Sequence, residues 1–277
     1  MGAYFRPSLL DEALTVLARA DAPPLVLAGG TDLYPARVGQ PIDEDVLDLT
    51  GIAALRGIAP TDAGWRLGAT TTWSEIAEAD LPPLFAGLQA AAREVGGRQI
   101  QNAGTLAGNL CNASPAADGV PALLALDAMV EIAGRMPRRV PLRAFLVGPR
   151  RTVLAPGELV VALHVARPSR PAEGRFVKLG ARRYLVISIA MASSVLVFDG
   201  DAVAEARVAV GACSPVAERL PALEAALAGV PRSRLAGVVN EAHLAPLAPI
   251  DDVRGSAGYR REAVVTLLQR LLAGFAK

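Results

Sequence analysis

The sequence is poor in metal-ligating residues. It has two cysteines, Cys111 and Cys213, two histidines, His164 and His243, and no CxxC pair. A structural zinc site takes four ligands, and a cysteine-bound iron–sulfur cluster usually four thiolates. This chain alone does not build such a cluster; if it takes part in electron transfer, any cluster sits on another polypeptide. Charge of one sign is also missing. With 28 basic against 27 acidic residues, there is no basic surplus of the kind that nucleic acid or an anionic membrane attracts. No apolar run reaches the ~18 residues that would span a bilayer. The opening "MGAYFRPSLLDEAL" has no basic segment leading into an apolar stretch, so no signal peptide is expected and the expected address is the cytoplasm. GxSxG is absent, and no serine or cysteine has a histidine near it in sequence, which removes the usual hydrolase signatures. A GxGxxG dinucleotide fingerprint is absent too.

What is present is apolar material for a core, 52% of 277 residues, a length that suits one large domain or two modest ones. Ser8 to Asp11 reads as a capping box ahead of Leu10, Leu14 and Leu17 at helical spacing. After Pro23-Pro24, "LVLA" reads as a short buried strand running into Gly29-Gly30, and "DVLDL" as a second strand. "WRLGA" and "LVVALHV" read as strands, Thr72 to Glu75 as a helix cap, Leu84 to Val95 as helix, and Pro121 suits a first helical position. "RPSRPAEG", Arg167 to Gly174, is the best linker candidate. Beyond it "RFVKL", "AMASSVLVF" and "ARVAVGAC", with a turn at Asp199-Gly200-Asp201, read as an antiparallel meander, followed by two helices.

Two stretches carry chemistry. In "LAGGTDL" a strand ends in two glycines, whose freedom lets backbone N–H groups converge into a concave anion site suited to phosphate. The plainer reading is a tight turn. In "QNAGTLAGNLCNASPAADGVPALLALDA", Gly104, Ala107 and Gly108 allow close backbone approach. Thr105, Asn109, Asn112 and Ser114 supply short donors and acceptors. Asp118 could accept sugar hydroxyls, as acids do in dinucleotide sites, or could simply cap the helix at Pro121. Two glycine loops plus such an acid fit a diphosphate ligand carrying a sugar. Cys111 reads as a small buried hydrophobe, the histidines as surface or packing residues, and Lys178 as either a snorkelling surface lysine or a cation facing a ligand.

"AGGTDL" together with "QIQNAGTLAGNLCNASPAADGVPALLALDA" resembles the FAD-binding medium subunits of the molybdenum hydroxylases, the xanthine dehydrogenase and carbon monoxide dehydrogenase group. Their pattern is approximately T-x-G-G-N-x-x-x-A-S-P-x-x-D-x-x-P. "RFVKLGARR", "VAVGACSPVAERL" and "PIDDVRGSAGYRREAVVTLLQRLL" have counterparts in the same order, so the resemblance runs from Phe5 almost to the end. It implies an α+β chain: a vanillyl-alcohol-oxidase-like (PCMH-type) FAD-binding domain over residues 1–170, made of α/β subdomains at about 1–55 and 56–170, then a smaller antiparallel sheet with helices over 171–277.

By the same resemblance Val26, Leu27, Ala28, Gly29, Gly30, Thr31, Asp32 and Leu33 cradle the FAD pyrophosphate. Thr105, Ala107, Gly108, Asn109 and Ser114 belong to the second loop, Asp118 binds sugar or ribityl hydroxyls, Val160 packs near the flavin and Lys178 lies near its polar edge. No side chain is implied as a catalytic acid or base, and no metal site. The implied role is electron transfer within a dimer of heterotrimers. A molybdopterin-binding large subunit oxidises the substrate, a small 2Fe–2S subunit relays electrons, and the flavin passes them to NAD, a quinone or oxygen. A stand-alone flavin oxidase and a flavin-free scaffold are the alternatives. Two departures stand out: Ala107 replaces the first glycine of Gly-Gly-Asn, and Val186 precedes Ile187 where an acid is frequent in "R-x-x-D-I-A".

Overall fold

The computed structural model describes residues 2–19 and 22–276. Three short parallel strands open the fold, with Val46–Asp48 between Tyr4–Phe5 and Leu25–Leu27. The helix Leu10–Arg19 packs beside them. Its first turn is capped differently from the expected box: Glu12, not Asp11, accepts from the N–H groups of Ser8 and Leu9, at 3.0 and 3.1 Å. Glutamate has the extra methylene needed to fold back over the helix start.

The second layer is a five-stranded antiparallel sheet in the order Ile58–Thr61, Gly64–Gly68, Leu159–Ala166, Met129–Ala133, Arg138–Pro141. Its central strand is apolar on both faces because both are covered. Leu159 and Val161 bury against Leu47, Leu49, Ile52 and Leu55 of the first unit. Val160, Leu163 and Val165 face the helices Trp73–Glu78, Ala86–Glu94, Leu106–Asn112 and Gly119–Ala125. A bulge between Val160 and Ala162 makes this possible, because the extra residue brings Val160 and Leu163 onto one side. Where the cover ends the alternation returns, and His164 turns outward to pair with Glu131. His243 is buried and accepts from the N–H of Asn240 at 3.2 Å, so both histidines have structural partners.

Of the linker expected at Arg167 to Gly174, only Arg167 to Pro171 lies outside strands; Ala172 already begins the meander. That sheet runs Ala172–Leu179, Ala190–Asp199, Ala202–Gly211, Glu218–Arg219, antiparallel throughout. Gly200, at φ +62°, makes the two-residue turn with Asp201. The helices Pro221–Leu227 and Ala257–Ala273 cover the face carrying Leu196, Val208 and Val210. On the long helix Val264, Leu267, Leu268 and Leu271 are buried at the i, i+3, i+4, i+7 spacing read from the sequence.

Candidate functional site

The site forms where the small parallel unit meets the five-stranded sheet. The strand Leu25–Leu27 delivers the chain into Ala28–Asp32, where Gly30 sits at φ +68°, a conformation that favours glycine. Gly29 is held there for a different reason. A Cβ on it would lie 2.6 Å from the Ala103 carbonyl carbon and closer still to its oxygen. The first loop thus rests directly on the backbone of the second segment. Among the described residues, no acceptor takes the N–H groups of Gly29, Gly30, Thr31 or Asp32. Consecutive free N–H groups in such a turn make a concave anion site.

The second segment is pinned to the sheet rather than hung from it. Leu106 N–H donates to Thr71 O and Ala107 N–H to Ala69 O, both at 2.9 Å, and Thr105 Oγ1 caps the helix by accepting from Gly108 N–H at 3.2 Å. Ala107 is a buried helical residue with no positive φ, so a methyl group is accommodated where the family pattern has glycine. Asn109 Oδ1 is buried and, among the described residues, unpartnered, although it belongs to a residue on the cavity wall. A buried acceptor without a donor costs about 1–3 kcal/mol.

Between the loops lies a cavity of about 790 Å³, within the range of cofactor sites. Val26 to Leu33, Thr105, Ala107, Gly108, Asn109 and Val160 all line it. Ser114, Asp118 and Lys178 do not line it. Ser114 Oγ accepts from Ala116 N–H at 3.3 Å in the turn leaving the second loop. Asp118 makes no side-chain cap for the helix Gly119–Ala125. Its two oxygens instead accept from Lys178 Nζ and Ser188 Oγ, each at 2.7 Å, and Lys178 also donates to Glu94 O at 3.2 Å. Burial pushes the Asp118 carboxyl above its usual range, against the pull of Lys178 and Ser188. Lys178 is therefore neither a snorkelling surface residue nor free. The pair is buried behind the cavity wall, where a Cβ on neighbouring Gly119 would come within 3.2 Å of Asn109 Oδ1.

Sequence reading missed several wall residues. Cys111 is exposed on the cavity rather than a buried hydrophobe. It sits on a concave wall that water reaches but protein crowds, and that desolvation pushes its thiol up to about 12. Trp73, Ile100 and Arg150 also line the cavity, and no local motif marks them. Val186 lies half-buried over Gly180 in an irregular segment; a Cβ on that glycine would collide with its methyl groups.

The model of the FAD binding domain in molybdopterin dehydrogenase matches residues 1–168. The chain belongs to the FAD-binding medium-subunit family of the molybdenum hydroxylases. The model of the CO dehydrogenase flavoprotein C-terminal domain matches residues 175–274. The xanthine dehydrogenase FAD-binding subunit of Escherichia coli O157:H7 is 30% identical over 280 residues, 98% of this chain and 94% of that one. The nicotine 6-hydroxylase medium subunit of Paenarthrobacter nicotinovorans is 30% identical, covering 97% of this chain and 95% of its own. Among solved structures, reconstituted CO dehydrogenase from Oligotropha carboxidovorans superposes with a TM-score of 0.88 at 26% identity, over 100% of this chain and 98% of that one. This medium subunit is an oxidoreductase component whose cofactor is FAD, and the α+β architecture described above is that of the family.

The cavity fits that cofactor. The unpaired N–H groups of Gly29 to Asp32 suit a pyrophosphate, and the cradle at Gly29 has no room for a Cβ.

Proposed function

We propose that this chain is the electron-transfer subunit of a multi-subunit molybdenum hydroxylase. It would take electrons from a small 2Fe–2S subunit, which is supplied by a molybdopterin-binding large subunit, and release them to NAD, a quinone or oxygen. A dimer of heterotrimers is the assembly that goes with this reading. The observation that carries it is the two-loop cavity itself, whose acids are already engaged: Glu158 with Arg138 and Asp32 with Asn112. Two cysteines in the whole sequence leave cluster ligation to other chains.

FAD, when bound, supplies the exchange between single electrons and electron pairs. The chain's own residues hold and shield it. Gly29 to Asp32 would donate N–H groups to the pyrophosphate, and Thr105, Gly108 and Asn109 would meet it from the opposite side. Val160 would pack an aliphatic surface against the flavin. Asp118 and Lys178, which the resemblance assigns to a sugar hydroxyl and the polar edge of the ring system, are paired with each other outside the cavity lining and would support its wall from behind.

Affinity purification of the tagged chain from its native host tests the reading. The expected result is co-purification of a molybdopterin subunit and a 2Fe–2S subunit, with flavin reduced by substrate only in the complex. A chain that purifies alone and oxidises an organic substrate by itself would make it a stand-alone oxidase instead.

A further inference from the structure

Arg150 stands on the cavity wall in a two-residue turn, Pro149-Arg150, between the strands Leu146–Gly148 and Arg151–Thr152. Its φ is +59°, and its N–H donates at 2.8 Å to the carbonyl of Ala113, itself at φ +46°. Both are left-handed conformations that non-glycine residues rarely hold unless their surroundings require it. Glycine would sit at either position without strain, so an arginine here is a costly choice for a turn alone.

The side chain explains the placement. One nitrogen, Nη1, donates to Asn112 Oδ1 and, at 3.3 Å, to Asn112 O. The amide of Asn112 in turn donates at 2.8 Å to Asp32 Oδ1. A relay of three residues therefore ties the turn to the second loop and to the first loop, ending beside the free N–H groups of Gly29 to Asp32. Among the described residues, Arg150 is the sole cation lining the cavity, and nothing among them accepts from Nε or Nη2 of its guanidinium. Glu158 is neutralised by Arg138. The unspent donors form a planar fork of the kind that matches phosphate oxygens.

We infer that Arg150 is a cofactor-binding residue, which closes the cavity rim over the FAD pyrophosphate and supplies the positive charge that the glycine loop lacks. Asn112 is its positioning residue, fixing the guanidinium from the side away from the phosphates. The inference rests on the cavity being the FAD site.

The test is Arg150→Gln in the full chain freed of flavin, titrated with FAD and with riboflavin, which has no phosphate. FAD affinity is expected to fall about tenfold, the loss of one charge-assisted hydrogen bond at an exposed rim, while riboflavin affinity stays at its wild-type value. The weakening of FAD binding between 50 mM and 300 mM salt is expected to be shallower in the variant, because one screened attraction is gone. Equal losses for both ligands would make Arg150 a structural latch only, and unchanged FAD affinity would remove it from the site; either overturns the assignment. Failure of the wild-type chain to bind FAD at all would instead defeat the reading of the cavity, and this assignment with it.

Discussion

Gly29→Ala is the smallest change that should open the site. The added methyl carbon would stand 2.6 Å from the Ala103 carbonyl carbon and 2.9 Å from Gly104 Cα, where ordinary contact begins at 3.4 Å. Neither neighbour is a side chain that can swing away. Gly104 N–H is bonded to Ile100 O at 2.7 Å, and Gly104 O accepts from Trp73 N–H at 3.2 Å, so the obstructing backbone is tied to two helices. The Ala103 oxygen lies closer still, so the loop must move outward by more than about 1 Å. Overpacking of this kind costs about 1–3 kcal/mol. A loss near 2 kcal/mol in a chain of this size lowers Tm by roughly 4–8 °C. The same displacement pulls the N–H groups of Gly29 to Asp32 off their common focus. Losing even one hydrogen bond to a charged oxygen, about 1.5–3 kcal/mol, weakens FAD at least tenfold. Thermal melts of the flavin-free chain and fluorescence titration with FAD measure the two effects. Gly237→Ala, where nothing lies within 4 Å of the new methyl, is the control and should change neither. If Gly29→Ala matched that control in both measurements, the contact between the two loops would not be what shapes the cavity.

Lys178→Met should destabilise the chain by about 3 kcal/mol at pH 7, since it leaves Asp118 buried without its partner. Burial already raises the Asp118 carboxyl, and losing Lys178 raises it further. A carboxyl whose folded pKa exceeds its unfolded value of about 3.9 stabilises the fold when protonated, so the deficit of the variant should shrink as pH falls toward 4. A deficit independent of pH in denaturant titrations would contradict the pairing. Asn109→Leu removes a buried acceptor that has no partner among the described residues, so the flavin-free chain should melt at the same temperature or higher, while losing a polar side chain from the cavity wall lowers FAD affinity several-fold. A lower melting temperature would show that Asn109 is satisfied within the chain. Cys111 lines the cavity, and its thiol is pushed up to about 12, so alkylation should be slow at pH 8 and slower still with FAD bound. Protection of Cys111 can be followed by mass spectrometry; equal rates with and without FAD would place the cofactor elsewhere.

The parts of the fold that the sequence reveals are those set by neighbours along the chain. Thr72 and Glu75 form the expected capping box because both partners sit within one helical turn. The strand Leu25–Leu27 leading into Gly29-Gly30 is legible because the glycine turn is local in purpose, although Val26 is exposed where a buried strand is expected. The second loop is legible as a cluster of small polar residues, although nothing in its composition says that Ala107 would be helical and tolerate its methyl group. The partners of Asp118 are not legible. Lys178 lies 60 residues away on a strand of the other sheet, and Ser188 lies 70 away in the irregular segment leading into its next strand, so the carboxylate is fixed by docking of the C-terminal half. Arg150 is hidden for the same reason: its turn is an ordinary Pro-Arg pair until folding brings Asn112 and Asp32 beside it. The acid that caps the first helix is Glu12, one residue beyond the Asp11 that spacing alone predicts, because capping depends on side-chain reach as well as spacing.

The central claim is that the cavity between the glycine loops holds FAD with its pyrophosphate on the first loop. An experimental structure of the FAD-loaded chain tests it most directly. The expected result is pyrophosphate oxygens within about 2.7–3.2 Å of N–H groups from Gly29 to Asp32. FAD bound with its phosphates away from that loop, or bound outside the cavity, would contradict it.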